Sequence, residues 1–155
     1  VYPGSPLSLS WKHLGKRKVA LLDTEKEDVK EIPINSFYYD KLDAKIKPSL
    51  ESQKLEEIRK WVGSHTGQDC ELRITVAGHG RMSEPEFGDL LRKSAGNAQI
   101  EENRYRNVED ILRHPIYRGF RRLLDRRGIS PEMKDSIDSR AIEVLSELKA
   151  AREIL

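Results

Sequence analysis

Arginine is the residue type whose number and spacing point most clearly to a chemistry in this chain. Eight arginines and three acids lie between Arg104 and Arg127, so this segment carries a net charge of +5 while the whole chain carries +2. Guanidinium groups hydrogen-bond to phosphate and carboxylate oxygens, and phosphate contacts give sequence-independent affinity for DNA. We therefore predict an anion-facing surface in this segment. Its candidate DNA-binding residues are Arg104, Arg106, Arg118, Arg121, Arg122 and Arg126.

The spacing of the later arginines leaves a second interpretation open. Arg118, Arg121, Arg122 and Arg126 are three or four residues apart, so they can line one side of a helix. Asp125 follows Arg121 by four residues, the separation at which ion pairs form along a helix, and the stretch would then be a solvated helix face. The small number of acids favours a surface that faces phosphate or a partner.

Metal-binding and nucleophilic chemistry is not indicated by the other residue types. The four histidines have no cysteine or carboxylate at ligand spacing, whereas a metal site requires several convergent ligands. Cys70 is the only cysteine, so no disulfide forms within the chain, and we expect it to be a small core residue of a strand. We predict no catalytic and no metal-binding residue. The histidines are His13, His65, His79 and His114.

The C-terminal stretch contains an apolar repeat that predicts a contact between helices. Its residues recur at alternating steps of four and three, the heptad pattern of a coiled-coil seam, which Ile142 and Leu145 widen. One interpretation is a helix that packs on its own domain. The other is a helix that docks onto a partner's coiled coil, which a seam reaching the final residue favours. The candidate partner-binding residues are Ile137, Ala141, Val144, Leu148 and Leu155, and Ala151 shares their pattern.

Composition is typical of a globular protein. Of the 155 residues, 37% are hydrophobic and 35% are charged, and the apolar residues recur periodically, which argues against disorder. This length suits one domain, alone or with appendages. No apolar run is long enough to span a bilayer, so we expect no membrane association. The single cysteine fits a cytoplasmic location.

The elements that must position these residues begin with three predicted strands. They cover residues 7–11, 18–23 and 29–34, and Gly15 marks a turn between the first two, which are expected to form a hairpin. Three short strands alone would be marginally stable. We therefore expect them to form the closing edge of a larger sheet.

A β-α-β-α-β order follows and predicts a small open sheet covered by two helices. The first helix is expected after Pro48, with Gly63 as its stop. The second begins at Ser83 as N-cap of a capping box and ends at Gly96. Residues 78–80 (Gly-His-Gly) are expected to end the middle strand. The three strands are expected at residues 37–46, 70–77 and 98–105.

Beyond residue 107 the pattern becomes helical. Asn107 is placed to cap a short helix, and Pro115 disfavours helix at the residue before it, which predicts a break at His114. The next helix is expected to end at Gly128, and Ser130 opens the last helix. The apolar residues assigned to the second of these helices are Ile116, Phe120, Leu123 and Leu124.

The opening of the chain resembles a segment of the SbcD-type DNA repair exonucleases that lies just after their last metal-binding motif. The matching residues are Tyr2, Gly4, Ser5, Pro6, Leu9 and Ser10, with Trp11 at an aromatic position and Gly15, Lys16 and Lys18 in the following turn. Residues 31–34 resemble the strand that ends the family's nuclease domain, and residues 107–112 resemble a helix start near its C terminus. A chain that opens in this segment without an initiating Met is expected to be a fragment.

The resemblance implies a manganese-dependent nuclease of metallophosphoesterase fold that acts on double-strand DNA ends. The family's metal ligands precede the matching segment, so no catalytic or metal-binding role passes to any residue here, and the chain alone is expected to be inactive. The last of those ligand motifs has the form Gly-His-x-His. Residues 78–81 differ from it because Arg81 stands at the second His position.

The resemblance also implies a division of this α+β chain into three parts. Residues 1–35 would be edge strands of the phosphoesterase sandwich, residues 36–106 a capping domain, and residues 107–155 a basic segment with partner-binding helices. This region would position duplex DNA ends and bind an SbcC-type coiled-coil ATPase, and the resemblance allows a homodimer formed through the full-length nuclease. The alternative is a protein-interaction module of another metallophosphoesterase that does not bind DNA.

Overall fold

The chain folds into five strands and five helices within the residues that the structure describes. The computed structural model describes residues 10–26, 28–34 and 36–153, with side chains as far as Lys149. The architecture is α+β, as predicted. The elements are β1 (Lys18–Asp23), β2 (Asp28–Pro33), β3 (Tyr38–Ile46), α1 (Glu51–Ser64), β4 (Cys70–Gly80), α2 (Glu84–Ala95), β5 (Gln99–Asn107), α3 (Glu109–Arg113), α4 (Pro115–Asp125) and α5 (Pro131–Glu153).

The central element is a three-stranded parallel sheet in the order β3-β4-β5. Tyr38 pairs with Cys70 at the start of the first ladder, and Arg73 pairs with Gln99 at the start of the second. Parallel neighbours need a long crossover, and helices α1 and α2 supply it. The predicted β-α-β-α-β order is therefore confirmed.

One apolar core lies between this sheet and the two crossover helices. Ile74 and Val76 of β4 are fully buried, as is Phe87 of α2, whose ring stacks on Tyr105 of β5 with a centroid separation of 3.9 Å. Leu55 and Ile58 of α1 complete the same core. Alternate residues of the strands point the other way, and there the sheet carries mainly charged and polar side chains such as Arg73.

Local signals placed α2 correctly. The Ser83 hydroxyl accepts a hydrogen bond from the Glu86 backbone N–H at 3.3 Å, Pro85 lies in the first turn, and Gly96 follows the last turn, so the predicted N-cap and stop are confirmed. The predicted stop of α1 is wrong by one residue. Gly63 lies inside that helix, which ends at Ser64 because His65 closes the last turn through bonds to the carbonyls of Gly63 and Val62.

The Gly-His-Gly triplet was expected to end the middle strand, and this prediction is wrong. β4 continues through it to Gly80. Gly78 has φ +132°, and a Cβ atom there would lie 2.1 Å from the carbonyl oxygen of Ile46 on the neighbouring strand. The glycine thus permits close approach of two strands instead of breaking one.

The N-terminal strands pair differently from the prediction. β1 pairs antiparallel with β2 in a separate two-stranded sheet. Residues 7–9 of the predicted first strand lie outside the described residues, and Trp11 lies in a turn. The Trp11 ring instead packs on Tyr39 with a centroid separation of 4.5 Å, and the Arg73 guanidinium lies 3.9 Å from its centre.

The last three helices share a second, smaller core. It contains Val108, Ile111 of α3, Tyr117 of α4 and Ile142 of α5. The predicted break at His114 is confirmed, whereas α4 ends at Asp125 and not at Gly128. None of the helices in the described ranges has both the length and the apolar content needed to cross a bilayer.

Candidate functional site

Helix α4 and its C-cap present four of the six predicted DNA-binding residues, and the start of the helix fixes their direction. The His114 side chain caps the helix by accepting a hydrogen bond from the Ile116 N–H at 3.3 Å, and Pro115 occupies the first turn. Tyr117, which belongs to the second core, and Leu124 are both buried, one heptad apart on the same side of the helix. The opposite side of the helix therefore faces outward.

Three of the arginines form an exposed row along α4 and its C-cap, which we call the arginine stripe: Arg118, Arg122 and Arg126. They stand four residues apart, so successive side chains are about 6 Å apart along the axis and turned by about 40°. Within the described ranges, none of the three forms an ion pair with an acid. Three guanidinium groups are thus free to bind anions on one side of the helix.

Arg121 does not belong to this stripe. Its guanidinium lies 3.2 Å from the Asp138 carboxylate on α5 and 3.8 Å from Asp125. The Tyr117 hydroxyl donates a hydrogen bond to the same Asp138 carboxylate at 2.8 Å. Burial, and then the Asp138 carboxylate, raise the pKa of Tyr117 well above its usual range. Arg121 therefore joins α4 to α5 at the edge of the helical core.

Arg104 and Arg106 lie on the edge strand β5 instead of on α4. Arg104 pairs with Glu102 at 2.6 Å, and Arg106 lies 3.6 Å from Glu84 at the start of α2. Both side chains are mostly exposed, so these are surface pairs of small energetic weight. The structure thus divides the six predicted arginines among a free stripe, a helix–helix contact and a strand edge.

The apolar residues of α5, which include the predicted partner-binding residues, lie on two sides of the helix. Ile142 is buried against α3 and α4, and Leu145 packs beside it. The helical period places the other apolar residues on the far side, where they are exposed, while Ala141 is half-buried between the two sides. We call that exposed row the α5 apolar face: Met133, Ile137, Val144 and Leu148. Leu155 and the side chain of Ala151 lie outside the described residues.

Two of the four apolar residues assigned to α4 lie outside its packed face. Ile116 is 66% exposed and Leu123 is 64% exposed, whereas Phe120 and Leu124 do pack inward. Helical phase is the signal that separates Leu123 from Leu124. Ile116 and Leu123 are one heptad apart and therefore point the same way, whereas Leu124 is turned by about 100° from Leu123. Arg127, which was not among the candidates, is also exposed and has no ion pair in the described part of the chain.

A cleft of about 420 Å³ lies where β3 and β4 end, between the sheet and the last helices. His79 lines the cleft. Burial lowers the pKa of its imidazole, and the negative charge of Glu143 only partly offsets this effect. A Lys47–Asp135 ion pair of 2.6 Å links the loop after β3 with α5 at this cleft, and Arg121 pairs with Asp138 there. The charges that line the cleft are therefore largely balanced.

The described residues supply no site for the manganese that the resemblance implies. Across residues 10–26, 28–34 and 36–153, no three His, Cys, Asp or Glu side chains are grouped so that they could hold a metal ion. The His65 imidazole lies 3.1 Å from Asp40 and 2.7 Å from the Trp61 carbonyl oxygen, so it links α1 to β3. No protein-family model, curated protein or solved structure matches this chain.

Proposed function

We propose that this chain is the DNA-positioning and partner-binding C-terminal region of an SbcD-type, manganese-dependent nuclease that acts in double-strand-break repair. The observation that carries the proposal is the arginine stripe on α4, with three exposed guanidinium groups that have no acid partner in the described part of the chain. In this function the chain holds duplex DNA near a metal site formed by other residues of the nuclease, and it is inactive alone.

The geometry of the stripe supports contact with a phosphate backbone. Steps of about 6 Å along the helix suit three successive anionic groups on an extended polyanion. Backbone contacts carry no sequence information, as a nuclease that acts on DNA ends requires. Each neutralised phosphate adds about 0.9 to the slope of log affinity against log salt, so three contacts correspond to a slope of about −2.7.

The α5 apolar face supports the partner half of the proposal. Helix α5 buries Ile142 in the core of this chain, whereas Ile137, Val144 and Leu148 on its far side are exposed and do not contribute to that core. Apolar residues at alternating steps of four and three form the seam of a coiled coil. We assign this face to a helix of an SbcC-type ATPase.

The separate β1–β2 hairpin supports the phosphoesterase part of the proposal. Val19 pairs with Ile32 on one face, and Leu22 pairs with Val29 on the other, yet all four side chains are exposed. A two-stranded sheet that is apolar on both faces is only marginally stable by itself. These strands therefore suit the edge of a larger sandwich.

Salt-dependent DNA binding tests the proposal. A variant in which all three stripe residues become Gln should bind duplex DNA with a much shallower salt slope than the parent chain. The control converts Arg59, Lys60 and Arg92, on α1 and α2, to Gln and removes the same charge elsewhere. Equal loss in both variants, or no DNA binding by the parent chain at low salt, would refute a role for the stripe.

A protein-interaction module that does not bind DNA is the second candidate function. The observation that favours it is Arg121, because its pairing with Asp138 leaves fewer free cations on α4 than the sequence predicts. Val144→Asp separates the partner contact from DNA binding. We expect it to abolish co-purification with an SbcC-type ATPase and to leave DNA affinity unchanged; retained co-purification would refute the assignment of the α5 apolar face.

A further inference from the structure

We propose that α4 carries a second binding surface, which docks an acidic protein segment bearing apolar side chains. The surface consists of Ile116, Gly119 and Leu123, bordered by Arg122, Arg126 and Arg127; we call it the α4 apolar patch. It rests on the structure of α4 alone and goes beyond DNA binding.

The α4 apolar patch contains two exposed apolar side chains with a glycine between them. Ile116 and Leu123 are the two most exposed large apolar side chains among the described residues. One heptad separates them, so they point the same way. Gly119 lies between them along the helix and, apart from its two chain neighbours and the helix's own backbone, no atom lies within 4 Å of the position that its Cβ would take. The patch is thus a pair of apolar ridges with an open notch between them.

The charge around the patch indicates the chemistry of its occupant. Arg126 is the C-cap of α4 and Arg127 follows it, so both lie just beyond Leu123 at the end of the helix, and Arg122 borders the patch one residue before Leu123. Within the described ranges, none of these three forms an ion pair with an acid. An occupant with Asp or Glu beside its apolar anchors would pair these charges, whereas a basic segment would be repelled.

The apolar ridges distinguish this occupant from DNA. Phosphate groups gain nothing from Ile116 and Leu123, which would stay in water beside a DNA backbone. A helix with leucines one heptad apart would instead bury both ridges and place a leucine over Gly119, as in helix-in-groove recognition. The occupant is therefore an acidic amphipathic helix, and duplex DNA is its competitor for Arg122 and Arg126.

A designed peptide tests this assignment on the full chain. The probe is a fluorescent helix-forming peptide with leucines one heptad apart and glutamates on both flanks; one control peptide replaces leucine with alanine, and another replaces glutamate with lysine. We expect saturable binding of the first peptide only. Leu123→Gln should weaken it about tenfold, because part of a leucine contact is lost while helix propensity is nearly kept. Leu14→Gln, at an exposed leucine outside α4 and α5, is the matched control and should have no effect.

The notch provides a second variant that does not depend on polarity. Gly119→Ala adds a methyl group in open space, so it should raise the stability of the chain and yet weaken peptide binding by several-fold. Gly88→Ala, inside α2, is the control: a Cβ there has only Arg92 at 4.0 Å, so it should also stabilise the chain, with unchanged peptide binding.

The outcomes separate this inference from the proposed function. If the alanine peptide binds as well as the leucine peptide, or if Leu123→Gln weakens DNA and peptide equally, the surface is a general polyanion site and the inference fails. It also fails if DNA binds and no peptide does, or if Leu123→Gln dissolves a dimer of this chain. If the leucine peptide binds and DNA does not, the inference stands and the DNA proposal fails.

Discussion

The contact between Arg121 and Asp138 gives the sharpest test of how α4 is divided between structure and binding. Arg121 and Arg118 are three residues apart on one helix and carry the same charge. We predict that Arg121→Gln lowers stability and changes DNA affinity little. Arg118→Gln should leave stability nearly unchanged and lower DNA affinity, because Arg118 is exposed and has no acid partner in the described part of the chain.

The magnitude follows from the burial of the pair. The Arg121 side chain is 37% exposed and that of Asp138 is 20% exposed, with 3.2 Å between the charged atoms. Exposed pairs contribute about 0.2–1 kcal/mol, and breaking buried pairs costs about 3–5 kcal/mol. This intermediate pair should therefore couple by about 1 kcal/mol. Arg118→Gln should stay within about 0.5 kcal/mol of the parent chain.

A double-mutant cycle isolates this coupling. Urea unfolding of the parent chain, Arg121→Gln, Asp138→Asn and the double variant, followed by far-UV circular dichroism, gives the interaction free energy directly. Tyr117→Phe should cost about 1.5 kcal/mol by itself, because its hydroxyl donates a hydrogen bond to the charged Asp138. Salt titrations of DNA binding complete the comparison, and Arg118→Gln should reduce the slope by about 0.9.

One pattern of results would refute this reasoning. If the coupling between Arg121 and Asp138 is zero, and Arg121→Gln reduces the salt slope as much as Arg118→Gln does, then Arg121 faces DNA and the packing of α4 on α5 is not as described. The sequence-based assignment of Arg121 to the DNA-binding set would then be restored.

Three further predictions concern the sheet domain. Gly78→Ala should destabilise the chain by about 3 kcal/mol or more in urea unfolding, because its Cβ would lie 2.1 Å from a backbone oxygen; a loss below about 1 kcal/mol would contradict the close approach. Ser83→Ala should cost about 1 kcal/mol through the lost N-cap, whereas Ser83→Asp should restore it. Burial, and then the charge of Glu51, raise the pKa of Tyr105 to about 12 from 10.0. Its contribution to stability should therefore be complete below pH 10.0 and be lost as pH rises through about 12, which tyrosinate absorbance of the parent chain and Tyr105→Phe would show.

Short-range patterns predicted much of the fold. The Ser83 cap, the Pro115 break and the alternation of β4 each depend on a few neighbouring residues, and the structure contains all three. The close contact at Gly78 was misread as a strand end because its cause, the Ile46 carbonyl, lies 32 residues earlier in the chain. The turn at Trp11 likewise packs on Tyr39, a residue of another element.

The sequence by itself determined which residue types occupy the helical region: arginines spaced for one helix and an apolar repeat on the next. The tertiary structure decided what each of them contacts. Arg121 pairs with Asp138, a residue 17 positions later that only the packing of α5 brings within 3.2 Å, whereas Arg118 faces solvent. Helical period groups residues into faces, but it does not say which face a neighbouring helix will cover. That choice depends on long-range packing around Ile142, and it leaves the arginine stripe, the α4 apolar patch and the α5 apolar face exposed.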